Sequence, residues 1–323
     1  MILAASSIHD LQSLLQMCET YANKERYIIH PEKSVITSFH LSKPYQEFIE
    51  EEKPFTINNE NVSVKTDFTH VGIQRTARSL TNSTQPTVDA RLSTARLTIH
   101  ALMGIGLTIT YYLPPIVSLH IYTIYVLPRL TYGLQVINLQ KPDIKALEIQ
   151  HRRFLYHMLH LPQQTATVAL HSLTGILPLE AIIDIQRLSY FHHLLMSPGP
   201  LQDIIIRQWA MKDNNSYSWV ITTKKLLTRY WLPDPLTTLG MSYSKLEWKK
   251  LVKRNVHRVW TQELELEIIE KSSLIYMKPD FKPNDVHIAL QSLNDTEDIR
   301  RANNKWRMMT GTYATQQRRF KYK

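Results

Sequence analysis

Histidine is the first residue in this sequence whose spacing suggests chemistry. His157 and His160 stand three residues apart, about one helical turn, and His151, His171, His192 and His193 fall in the same stretch. Imidazoles so placed can ligate zinc, but a structural zinc site wants a full set of Cys and His ligands. The chain has one cysteine, Cys18, and no HExxH. The spacing therefore predicts ordinary helix-surface histidines and no metal site. Carboxylates that would pair cations for phosphoryl transfer are not gathered either. Asp295, Glu297 and Asp298 read as a polar turn, and Glu263, Glu265, Glu267 and Glu270 as the solvated face of a helix. No GxGxxG, P-loop, nucleophile elbow or triad spacing occurs.

What remains is cationic. A formal charge of +10 and a pI near 9.5 favour a polyanionic partner, most simply nucleic acid. The charge is uneven: residues 1–70 hold six Lys/Arg against ten Asp/Glu, a formal −4, which leaves +14 for the rest. Three basic features stand out. Arg152-Arg153, with Lys145 and His157, make either a phosphate-contacting edge or a solvated helix face. Lys249, Lys250, Lys253, Arg254 and Arg258 oppose an apolar stripe of Trp248, Leu251, Val252, Val256, Val259 and Trp260. Calmodulin targets and membrane-surface helices share that appearance, but the globular sequence around it favours a core-packed helix with a basic outer side. From Ile299 to Lys323 there are eight Lys/Arg and no Asp/Glu, including Arg300, Arg301, Lys305, Arg307, Arg318 and Arg319. Trp306, Tyr313, Phe320 and Tyr322 are interleaved with them, where they can stack on unpaired nucleotides.

The elements that must position these residues are mostly helical. The 323 residues suffice for two or three domains, and 43% hydrophobic content is that of a globular chain. The fold class read here is mainly α with a small N-terminal α+β part. Ile8 to Asn23 has the periodicity of an amphipathic helix; ERYIIH and SVITSFH read as strands, PFTINNENVSVK as two short strands about an Asn-rich turn, and TDFTHVGIQR as a strand ending near Gly72. DARLSTARLTIHALMG fits a helix. In the central module Pro142 starts one helix and Pro162 stops it, Thr165 caps a short second that Gly175 closes, and Pro178 opens a third. LQDIIIRQWAMKD, SWVITTKKLLTRYWLP and Ser244–Lys271 continue the helical pattern. Leu97–Pro128 carries no Asp, Glu, Lys or Arg over a length that could cross a bilayer. Gly104, Gly106, Pro114 and Pro115 break it, which predicts buried broken helices and makes a membrane partner the lesser reading. Met1 is followed by a short apolar run with no basic residue before it, so no secretory signal is expected.

The wording of several stretches goes further. PRLTYGLQV, LEIQHRRFL and LHLPQQTATVALHSLTGILPLEA, within residues 128–182, resemble the region after the polymerase core of non-LTR (LINE-type) retrotransposon reverse transcriptases. AASSIHDLQSLLQMC, IHPEKSVI and FTHVGIQR follow the order of the end of that family's palm, and DARLSTARLTIHALMG resembles its first thumb helix. RRANNKWRMMTGTYATQQRRFKYK resembles a phrase that precedes a Cys/His knuckle in related elements. Departures are small: His30 stands where Asn is usual, Gln135 where Glu is, and His160 where Gly is.

The resemblance implies a remnant of palm over residues 1–80, a thumb and helical module over 81–198, and a basic helical region over 199–323. It implies that Lys33 lies near the incoming nucleotide or leaving pyrophosphate, with a solvent-exposed turn lysine as the plain alternative. Val71, Gly72 and Ile73 would match a primer-grip strand. Arg91 and Arg96 would face a template–primer duplex of RNA or DNA. The family synthesises DNA on RNA with magnesium, and its catalytic aspartates match no position here, so no cofactor and no small-molecule substrate are expected for this chain alone. The expected function is that of a reverse transcriptase remnant, inactive by itself, that keeps nucleic-acid-binding surfaces. A fragment of an intact polymerase with its catalytic half before Met1, and a helical interaction protein, are the alternatives. The family implies an intracellular, nuclear location.

Overall fold

A computed structural model describes residues 2–38, 55–77, 84–104, 106, 113–211, 218–234, 243–277, 280–291 and 296–313. It divides into two compact units, Met1–Thr87 and Val88–Lys323.

In the first unit Ser7 starts α1 (Ile8–Lys24) by accepting the Asp10 N–H at 3.1 Å. Leu15 of α1 joins Phe55, Ile57 and Val62 in a small core, flanked by Leu11, Ile29 and Ile36. Gln12 latches the helix to the sheet: its amide accepts the Thr56 N–H at 3.1 Å and donates to the Thr56 carbonyl at 3.2 Å. The strands are short: β1 (Val35–Ile36), β2 (Thr56–Ile57), β3 (Glu60–Asn61), β4 (Ser63–Val64), β5 (Asp67–His70) and β6 (Ile73–Thr76). β1 pairs β4 in parallel, while β2–β3 and β5–β6 are antiparallel hairpins.

Two segments differ from what the sequence predicts. ERYIIH is not a strand, because its first residues finish α1 instead. Arg26 turns left-handed (φ 60°), and the N–H groups of Glu25 and Tyr27 bond back to Tyr21 and Ala22. TDFTHVGIQR is not one strand either. It is the β5–β6 hairpin, folded at Val71-Gly72. The Asn-rich turn is present as the sequence predicts: Asn58 and Asn59 both have positive φ between β2 and β3. Val71 (φ 49°) and Gly72 (φ 72°) adopt the same pattern, which suits Asn-Gly and strains a β-branched residue. Val71→Asn is therefore expected to raise the unfolding free energy of this unit by about 1 kcal/mol, measurable by urea denaturation. An unchanged midpoint would mean the turn is unstrained.

The second unit is mainly helical. α2 (Gln85–Gly104), which belongs to this unit from Val88 onward, buries Val88, Leu92, Ala95 and Ile99. Pro114 and Pro115 then open α3 (Pro115–Ile121), which runs through a π-turn (Tyr122–Val126) into α4 (Leu127–Thr131). Among the described residues no single helix is long and apolar enough to cross a membrane. The central module follows the proline and glycine punctuation: α5 (Lys141–Met158), α6 (Thr167–Thr174) and α7 (Leu179–Leu195). Thr165 does not cap α6, however; Ala166 holds that place. The Thr165 hydroxyl donates instead to the Pro162 carbonyl at 2.6 Å, and its carbonyl accepts the Tyr156 hydroxyl at 2.7 Å. Gly175 closes α6 at φ 66°, and a Cβ there would lie 2.2 Å from the Asp285 carbonyl oxygen.

α8 (Pro200–Ala210), α9 (Trp219–Arg229) and the long α10 (Lys245–Glu270) complete the body, with α11 (Ile288–Gln291) and α12 (Thr296–Met309) after it. Ser244 and Glu247 form a capping box that starts α10. α10 and α7 pack along each other through Trp248, whose indole N–H donates to the Leu188 carbonyl at 3.0 Å. The Trp248 ring stacks on His192 at 4.8 Å and 12°. Glu297 and Asp298 sit in the first turn of α12, where a carboxylate complements the helix dipole; the polar turn expected there is helix.

Candidate nucleic-acid interface

The sequence-derived site residues divide between the two units. In the first, Lys33 is exposed at the end of the Pro31–Lys33 turn, with its N–H bonded to the His30 carbonyl at 3.2 Å. Val71 and Gly72 form the hairpin turn above, and Ile73 begins β6.

In the second unit the arginines are not equivalent. Arg91 lies over the Tyr132 ring at 5.1 Å, and burial lowers its guanidinium pKa from its ordinary value. Arg96 is exposed, with its Nε donating to Gln150 of α5 at 2.9 Å. Arg152 is drawn inward: Nη1 donates to the Thr167 hydroxyl at 2.8 Å and Nε to the Glu148 carbonyl at 3.3 Å. Arg153, next to it, points outward and is exposed. Arg300 and Lys305 are exposed on α12, and Arg301 pairs with Glu297 at 2.7 Å across one turn. Arg318 and Arg319 lie outside the described residues.

Two of these residues, 154 positions apart, come together. Arg153 from α5 and Arg307 from α12 line one cleft of about 250 Å³, along with Tyr156, His157, His160 and Gln163. The second residue after α5 explains how. His160 adopts φ 49° and ends the helix: its N–H bonds to the His157 carbonyl, and Leu161 reaches back to Tyr156. This turns the His160 carbonyl toward α12, where it accepts Arg307 Nη2 at 3.0 Å. The His157 and His160 rings then stand 6.4 Å apart. Burial, followed by the charges of His157 and Arg307, holds the His160 imidazole below its usual pKa. Among the described residues no carboxylate lines the cleft. Two guanidinium groups, two imidazoles and an amide facing one space are a donor set for an oxyanion, above all phosphate.

A second basic surface is on α10. Trp248, Val252, Val256 and Val259 are buried, while Lys249, Lys250, Lys253, Arg254 and Arg258 are exposed, as the stripe predicted. From Trp248 to Thr261 there is no Asp or Glu.

The histidines need correction. They are not all on helix surfaces, since His151, His171 and His192 are buried. His151 Nδ1 and the Tyr122 hydroxyl are hydrogen-bonded at 2.6 Å, and the His151 ring stacks on His171 at 6.0 Å. His171 Nδ1 meets the Ile176 carbonyl at 2.7 Å. Burial is the main cause that holds His151 down to about 3 and His171 to about 4. Glu148, one turn before His151, accepts the Glu180 N–H at 3.0 Å, and burial raises it to about 7. Asp184 on α7 accepts the Tyr230 hydroxyl at 2.6 Å and is raised by burial to about 6. Among the described residues no three His, Cys, Asp or Glu side chains are grouped to hold a metal ion.

Trp306, expected among the bases as a stacking residue, is fully buried, so it cannot serve that role. The stripe Ile299, Ala302, Trp306 and Thr310, all buried at helical spacing, was the signal for its place in the core. Sequence reasoning also missed Trp231, which is 65% exposed. No protein-family model, curated protein or solved structure matches this chain.

Proposed function

We propose that this chain is a nucleic-acid-binding part of a non-LTR retrotransposon reverse transcriptase, with the end of the palm, the thumb and the helical region that follows. On this reading the 323 residues alone bind RNA or DNA and do not extend a primer, because the family's metal-binding aspartates match no position in the sequence. The observation that carries the binding role is the cleft that gathers Arg153 and Arg307 with no carboxylate among the described residues that line it. The ordered resemblance at residues 128–182 and 305–316 supports the family origin, and both segments contribute to that cleft.

Binding of labelled duplex and single-stranded oligonucleotides, titrated between low and high salt, tests the proposal. Affinity should fall steeply with salt as phosphate neutralisation releases counterions. Arg153→Ala removes an exposed side chain without touching the core, and should lower the salt slope by about 1. Affinity that is flat with salt would overturn the binding role and leave a helical scaffold. Metal-dependent primer extension by the purified chain would overturn the inactive reading.

A further inference from the structure

We infer that Trp231 and Arg258 form a stacking site for an unpaired nucleobase, beside the basic face of α10. The inference rests on the nucleic-acid reading above and specifies which form of nucleic acid the α10 surface takes.

The site is built at the end of α9. Tyr230 and Leu232 are buried, yet Trp231 between them is 65% exposed. The helix ends with two backbone bonds, Trp231 N–H to Thr228 at 3.2 Å and Leu232 N–H to Leu227 at 2.9 Å. That cap needs a left-handed residue, and glycine is the usual choice. Here a tryptophan takes the conformation, at φ 48°. A bulky side chain in that region is strained, and such outliers gather at ligand-binding positions.

The turn is held from beneath. The Asn255 amide, itself buried, donates to the Tyr230 carbonyl at 3.0 Å and the Trp231 carbonyl at 3.3 Å. The Tyr230 hydroxyl donates to Asp184 and accepts the Trp260 indole N–H at 3.1 Å. The exposed ring is thus set on a fixed base. Arg258 covers one face of it, its guanidinium carbon 4.9 Å from the ring centre. Arg254 lies one helical turn earlier on the same face of α10.

An exposed indole with an arginine on one face and a strip of cations alongside has the composition of a single-strand site. The ring stacks a base, and the cations take the phosphates on either side. Base pairs within a duplex do not offer their π faces, so the site selects unpaired nucleotides. The five cations and absent carboxylates from Trp248 to Thr261 disfavour a basic or neutral partner.

The test uses the full chain with three fluorescein-labelled probes: a 12-nucleotide oligo-dT, an abasic strand of equal length, and a 12-base-pair duplex. Trp231→Asn keeps a residue suited to the left-handed turn and so preserves the fold, which circular dichroism checks. It should weaken oligo-dT binding about tenfold, within the range of one stacked base. Duplex binding should stay within about twofold of the native chain, and Trp231→Phe should restore most of the oligo-dT affinity. The native chain should bind the abasic strand about as weakly as Trp231→Asn binds oligo-dT. Equal oligo-dT affinity for the native chain and Trp231→Asn, with salt-dependent binding intact, overturns the stacking site alone. Absence of salt-dependent binding to every probe overturns the nucleic-acid reading and the site with it.

Discussion

Trp248→Ala is expected to lower the unfolding free energy of the second unit by about 3–5 kcal/mol, enough to unfold a marginally stable domain. The indole is 1% exposed and lies where α10 crosses α7. Removing it takes away a large apolar surface, the hydrogen bond to the Leu188 carbonyl and the stacking partner of His192. His192 would then face a void with its ring buried. Trp248→Phe keeps much of the volume and loses the N–H, so it should cost about 1–3 kcal/mol. Lys249→Ala, one residue along but exposed, should stay within about 0.5 kcal/mol of the native chain. Urea denaturation followed by helical circular dichroism separates the three. A Trp248→Ala midpoint equal to that of Lys249→Ala would mean the α7–α10 seam does not hold this unit together.

The second large effect is a pair of opposed pH dependences inside the same unit. His151 and His171 have folded pKa values of about 3 and about 4 against an ordinary 6.5. As pH falls below 6.5 the unfolded chain takes up protons that these buried rings refuse, so stability is lost on acidification. By pH 5 each costs about 2 kcal/mol. Glu148 and Asp184 work the other way. Their folded values, about 7 and about 6, lie above the ordinary 4.5 and 3.8, so the folded state gains protons first and acidification stabilises it. From pH 8 to pH 5 the four groups nearly cancel. His192, His257 and His287, lowered mainly by burial, tilt the balance toward loss.

Glu148→Gln removes one opposing arm. It should raise stability at pH 8 by about 2 kcal/mol, because no charge need be buried, and match the native chain near pH 5. Its stability should therefore fall from pH 8 to pH 5 more steeply than that of the native chain. Parallel pH profiles for the two proteins would sink this account.

Helix positions were largely legible because proline and glycine punctuate them. Pro142, Pro178 and Gly175 mark the ends of α5, α7 and α6 within a residue or two, and the stripe on α10 gives its buried face correctly. The strands were less legible. ERYIIH has strand composition, but strand propensity needs a partner, and the same residues were needed to finish α1. The Val71-Gly72 hairpin was hidden because valine is a poor residue for the conformation it adopts. The cleft was half legible. Both of its arginines were candidates, but nothing local brings positions 153 and 307 together; packing of α12 on the end of α5 does. Trp231 escaped notice because local pattern alone does not say which of Tyr230 and Trp231 turns inward.

The contact between Gly175 and Asp285 bears on how the chain is made. The end of α6 is finished by backbone groups from far downstream: Asn284 donates to the Gly175 carbonyl at 2.8 Å and His287 to Leu173 at 3.0 Å. Until a ribosome has released residues 284–287, those two carbonyls lack their partners and the groove beside Gly175 stands open. Residues 141–195 leave the tunnel early with their helices encoded but one edge unsealed, so from position 195 they must wait 89 residues of synthesis, until Asn284, for closure. The nascent chain exposes that edge of its central module throughout the interval, which is when a chaperone or a nucleic acid has the best access to it.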